Sequence, residues 1–121
     1  MPKTEDSKTY DLREWTFKFA KRVRNYLKNL PRTLSNMNME DARQLIKASG
    51  SVGANYIEAE EAISRKDFVM RIKISRKEAK ESGYWLELTE SKEDQMMEKE
   101  NLIKEATELT KRFGSIVEKS K

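Results

Sequence analysis

DARQLIKASGSVGANYIEAEEAI, residues 41–63, decides the fold. Read as one helix, it gives the chain four long helices; read as broken at SGSVG, residues 49–53, it splits into two short helices and gives the chain five. Ala42, Leu45, Ile46, Ser49, Val52, Gly53, Tyr56 and Ile63 lie on or near one helical face. The register resumes unchanged in YIEAEEAI and no proline follows, which favours continuity from about Met39 to Ile63. Two interior glycines cost roughly 1 kcal/mol each relative to alanine. Gly50 and Gly53, followed by Ala54, therefore need a compensating contact, and the expected one is close approach of another helix.

Working outward, LREWTFKFAKRVRNYLKNL (12–30) sets Leu12, Trp15, Phe19, Val23, Tyr26, Leu27 and Leu30 three and four residues apart, one buried helical stripe. Asp11 is placed to cap it and Pro31 to end it. RTLSNMN (32–38) has no period and reads as a connection, with Asn38 as a candidate cap for the next helix. Ser64 with Asp67 resembles a capping box opening a third helix to about Leu88. Its core stripe, Phe68, Ile72, Ser75, Ala79, Ser82 and Leu86, is narrow and rich in small residues. Ile74 and Trp85 share a flank of that helix and form a candidate contact surface between subunits. A last helix, about Glu93 to Glu118, carries Met96, Leu102, Ile103, Ala106, Leu109, Thr110, Phe113, Ile116 and Val117. The expected fold is an all-α, up-down-up-down four-helix bundle forming a single domain over residues 1–121, with residues 1–10 a flexible N-terminus.

Composition agrees. At 121 residues the chain has room for one core, and four Gly and two Pro are too few for the turns of an all-β fold. With no His and no Cys, zinc fingers, thiol nucleophiles, Ser-His-Asp triads and Glu-x-x-His di-iron sites each lack a required residue. No stretch is long and apolar enough to span a bilayer, and MPKTEDSKTYDL lacks a signal peptide's apolar core, so a cytoplasmic protein without membrane partners is expected.

The net charge of +4 is concentrated: residues 12–32 carry +6 and residues 65–80 carry +5. Lys66, Lys73, Lys77 and Lys80 line the face of the third helix opposite its core stripe, with Tyr84 continuing it. Lys21, Arg24 and Lys28 do the same on the first helix, with Phe17 projecting among them. Cations set beside an exposed ring suit phosphate contact with base stacking, so nucleic-acid binding is one reading. Solvated helix faces, with Phe17 as a subunit contact, are the other. Glu58, Glu60, Glu61, Glu78 and Glu81 offer a weaker candidate metal site, since no spacing forces them together. No metal, cofactor or catalytic residue is assigned.

Residues 41–91 also resemble the signature region of the four-helix bundle proteins encoded in intervening sequences of bacterial 23S ribosomal RNA genes. The likeness rests on Gly50, Gly53, Ala54 and Asn55, on Glu58 and Ala59, on Glu78, Ala79 and Glu81, and on Tyr84, Trp85 and Leu86; with the first helix it covers about residues 10–117. That family resembles in turn the accessory protein of diversity-generating retroelements, a ring-shaped pentamer of four-helix subunits that binds nucleic acid and a reverse transcriptase. The resemblance implies a homopentameric ring. The leading expectation is a non-enzymatic, oligomeric RNA-binding protein. The alternative is a scaffold recruiting a protein partner such as a polymerase.

Overall fold

The computed structural model describes residues 11–31 and 36–121. Four helices run through them: α1 (Leu12–Lys28), α2 (Asn36–Glu60), α3 (Arg65–Leu88) and α4 (Met96–Lys119), with a single 3-10 turn at Glu93–Gln95. There is no strand among the described residues. The expected flexible segment, residues 1–10, lies outside them, as do residues 32–35 of the first connection.

Local chemistry sets the helix ends. The Asp11 carboxylate accepts a hydrogen bond from the Glu14 backbone N–H at 3.0 Å, and Ser64 Oγ accepts from Asp67 N at 3.0 Å, each occupying a donor that the first helical turn leaves free. α2 is unbroken through SGSVG. It begins earlier than its apolar pattern, so Asn38 lies within it and is no cap. The Asn38 amide instead donates to the Glu90 carbonyl and accepts from the Glu90 N–H, both at 2.9 Å, tying the start of α2 to the end of α3. At its other end α2 stops at Glu60, where Glu61 N and Ala62 N bond to the carbonyls of Glu58 and Ala59. That tightened turn takes Ile63 out of the helical register and leaves it 95% exposed, outside the core in which the periodicity had placed it.

Each helix touches its two neighbours in the order α1–α2–α3–α4–α1, which puts α1 diagonally across from α3. Short connections between neighbours and this closed order fit an up-down bundle. Phe19, Leu45, Ile72, Leu86, Leu102 and Phe113 fill the centre. α3 presents small residues there: Ser75, Ala79 and Ser82 are fully buried. Ser75 Oγ donates across to the Val52 carbonyl of α2 at 2.9 Å, and Ser82 Oγ satisfies itself on its own helix at Glu78 O. Among the described residues no buried side-chain polar atom lacks a partner. Tyr26 and Thr89, both buried, share a hydroxyl hydrogen bond at 2.7 Å.

Candidate nucleic-acid interface

The helical repeat that buries Ile72, Ser75, Ala79 and Ser82 turns Lys66, Lys73, Lys77 and Lys80 outward on the far side of α3. All four are exposed and span about 21 Å of helix at about 1.5 Å per residue. Tyr84 continues the row, its ring edge-on to Trp85 with centroids 5.2 Å apart. Glu81 and Glu87 stand beside it, so the row is cationic for most of its length and mixed at its C-terminal end.

The described residues form ion pairs elsewhere. Arg13 pairs with Glu60 at 2.7 Å, Lys18 with Glu14 at 2.9 Å, Arg22 with Glu98 and Glu105 at 3.4 Å each, and Arg43 with Glu40 at 2.7 Å. None of those pairs takes up a lysine of the α3 row. Glu78, half-buried beside the row, is held above the usual carboxylate range chiefly by burial and then by Glu81, while Lys77 and Lys47 act against the shift.

On α1, Lys21 and Lys28 are exposed, Arg24 is half-buried with its guanidinium donating to the Ala20 carbonyl at 3.1 Å, and Phe17 is 62% exposed. These residues lie along the seam between α1 and α2. The seam is narrow because Gly53 sits against Thr16: a Cβ there would stand 2.8 Å from Thr16 Oγ1 and 3.2 Å from Thr16 Cβ. At Gly50 an added Cβ would meet only Arg24 Nη2, at 3.5 Å, and Ala54 is exposed on the floor of the same seam. The sequence pattern missed Thr16, which is buried at the closest approach. Its spacing from Leu12 and Phe19 matched the stripe, but its hydroxyl hid it.

The basic rows of α1 and α3 are thus carried by diagonal helices and do not merge into one surface within a subunit. Ile74 and Trp85 are both half-buried on one flank of α3, where Arg71 Nη1 also donates to Asn55 Oδ1 of α2 at 3.1 Å. The acidic residues are dispersed. Among the described residues no three carboxylates gather where they would hold a metal ion. Nor is any described helix long and apolar enough to cross a membrane.

The fold and surface define a class: a small all-α, four-helix bundle with a lysine row on its third helix. Within that class the chain belongs to the 23S rRNA-intervening sequence protein family, whose model matches residues 8–115. A crystal structure of a protein of unknown function from the S23 ribosomal protein family of Bacteroides thetaiotaomicron VPI-5482 has the same fold. That relative is 32% identical, with a TM-score of 0.75 and coverage of 92% of this chain and 98% of its own. No curated protein matches.

Proposed function

We propose that this protein is a non-enzymatic, oligomeric RNA-binding bundle whose α3 row, Lys66, Lys73, Lys77 and Lys80, holds backbone phosphates. The observation that carries the reading is the row itself. Four ammonium groups stand on one exposed helix face with no ion-pair partner among the described residues, although the chain is rich enough in carboxylates to have supplied one at each position. A row of this kind gains affinity by releasing counterions from a phosphate backbone, and repetition of the row in an oligomer multiplies a modest contact by effective concentration. The choice of RNA draws on the family's association with 23S ribosomal RNA genes. The Ile74 and Trp85 flank supplies an apolar patch for the contact between subunits. The scaffold reading is favoured by a separate feature, the seam between α1 and α2.

The test is fluorescence anisotropy of a structured 23S ribosomal RNA fragment and a matched DNA duplex, each at two salt concentrations. Four phosphate contacts predict that log affinity for the duplex falls against log salt with a slope of about −3 to −4. Lys73→Glu/Lys77→Glu/Lys80→Glu abolishes binding while helicity and assembled mass stay unchanged. Undiminished RNA affinity in that variant refutes the assignment of this face.

A further inference from the structure

The surface between α1 and α2 is a groove of a different character from the α3 row. Two depressions, of about 680 and 640 Å³, share Lys21 and Arg24 and so run together along the whole of α1. At about 1.5 Å per residue, α1 makes the groove about 25 Å long. Its floor is small and apolar where the helices approach most closely, at Ala20, Gly50, Gly53 and Ala54. Phe17, Ile57, Ile46 and Met39, the exposed large apolar side chains among the described residues of α1 and α2, all line it.

The charges on its rim are asymmetric. Every lining carboxylate is already engaged: Asp11 caps α1, Glu14 pairs with Lys18, and beyond the lip Glu60 and Glu40 pair with the lining residues Arg13 and Arg43. Lys21, Arg24 and Lys28 have no ion-pair partner among the described residues, which leaves the rim cationic over an apolar floor.

We propose that this groove docks an acidic amphipathic helix of a partner protein. A helix presents apolar side chains at i, i+3, i+4 and i+7 to such a floor and carries carboxylates on its flanks to the rim cations. The floor decides against nucleic acid. Ile46, Ile57, Met39 and the alanines are aliphatic and gain by burying other aliphatic side chains, whereas bases stack on rings, and Phe17 is the one exposed ring in the groove. The length of the groove accommodates some four or five helical turns. This surface is separate from the α3 row, and the inference stands whether or not that row binds RNA.

The probe is a fluorescein-labelled helical peptide of about 17 residues, a length taken from α1 at about 1.5 Å per residue, with leucines at the four anchor positions and glutamates on the flanks. A second peptide has lysine for every glutamate. The expected result is saturable binding of the glutamate peptide alone. Lys21→Glu/Lys28→Glu weakens it about tenfold through the rim charges. Ala54→Gln, at an exposed helical position, weakens it by a similar factor by filling the floor, and far-UV circular dichroism confirms that both variants remain folded. Failure to saturate overturns the proposal, as does equal binding of the lysine peptide or indifference to both variants. So does displacement of the peptide by a single-stranded RNA with the same sensitivity to the variants, which would assign the groove to nucleic acid. A fall in the assembled mass of Ala54→Gln would show that a second copy of the chain occupies it, and would also overturn the proposal.

Discussion

Gly50 and Gly53 lie one helical turn apart, and alanine at the two positions should change stability in opposite directions. Relative to glycine, alanine in a helix interior gains about 1 kcal/mol. At Gly53 that gain meets Thr16. The new methyl would stand 2.8 Å from Oγ1 and 3.2 Å from Cβ of a residue that is 1% exposed. Thr16 has little freedom to yield, because its hydroxyl bonds to the carbonyls of Leu12 at 2.8 Å and Arg13 at 3.1 Å. Rotation about χ1 leaves the 3.2 Å Cβ contact in place, because Cβ does not move with it. α1 must therefore move away from α2 and disturb the packing of Phe19 and Val23, an overpacking cost of about 1–3 kcal/mol. The net expectation for Gly53→Ala is a loss of about 1 kcal/mol, a fall in Tm of roughly 4 °C for a domain of this size. At Gly50 the nearest atom is the mobile end of Arg24 at 3.5 Å, so Gly50→Ala keeps most of the helical gain and should raise Tm by a few degrees. Thermal and guanidinium unfolding followed by far-UV circular dichroism measure both. Thr16→Ala/Gly53→Ala should recover stability beyond the sum of the single changes, the coupling expected of residues in contact. Were Gly53→Ala as stabilising as Gly50→Ala, the close approach at Thr16 would be refuted.

Three further outcomes follow from the same geometry. Burial raises the Tyr26 phenol above its ordinary value of 10.0, opposed by its hydrogen bonds to Thr89 and Ser91. A raised folded value means that the unfolded chain loses this proton first, so stability is intact below pH 10 and declines as pH rises beyond it. Tyr26→Phe should cost about 1 kcal/mol at neutral pH and make the alkaline decline shallower, as read from guanidinium midpoints across pH. Ile74→Asp, on the proposed subunit flank, should lower the assembled mass in light scattering while preserving helicity; unchanged mass would exclude that flank. Saturation with the glutamate peptide should leave the RNA dissociation constant within about twofold at physiological salt, because the two sites lie on diagonal helices farther apart than the Debye length of about 8 Å. Mutual exclusion would show that the sites overlap.

The patterns that single helices impose on sequence were readable, and the relations between helices were not. The stripes of α1, α3 and α4 emerged from spacing because burial on one face is a property of one helix: Phe19, Val23, Ile72, Ala79, Leu102 and Phe113 all lie in the core, although Met96, which the α4 spacing also includes, is exposed at the start of that helix. The glycine pair signalled a close contact, but spacing within α2 carries no information about which residue stands opposite, and Thr16 went unread. The periodicity of α2 sets Ile46 on or near its core face, yet it is exposed. It follows Leu45 by one residue, a turn of about 100°, which carries it from the buried face of α2 to the seam with α1. The lysine row of α3 was legible for the same reason as its core stripe, being its complement. That the α1 row borders a groove lined by the exposed apolar side chains of α2 required the pairing of helices, which follows from the closed order of the bundle.

The narrow core of α3 bears on both surfaces. Ser75, Ala79 and Ser82 let the neighbouring helices approach α3 closely, and the bond from Ser75 to the Val52 carbonyl shows α2 within reach of a two-atom side chain. Gly53 does the same between α2 and α1. A bundle drawn in at two of its seams has less interior for large side chains, and α1 to α3 leave Phe17, Met39, Ile46, Ile57, Met70, Tyr84 and Leu88 exposed. Scattered singly, such residues call for no explanation. Here they are ordered: Phe17, Met39, Ile46 and Ile57 share the α1–α2 groove, while Met70, Tyr84 and Leu88 are set along the outer side of α3 beside its lysines. The small residues that tighten the interior are therefore coupled to the apolar surface outside it, and Gly53 belongs to both. It brings Thr16 into the core and forms the floor on which a partner helix would rest.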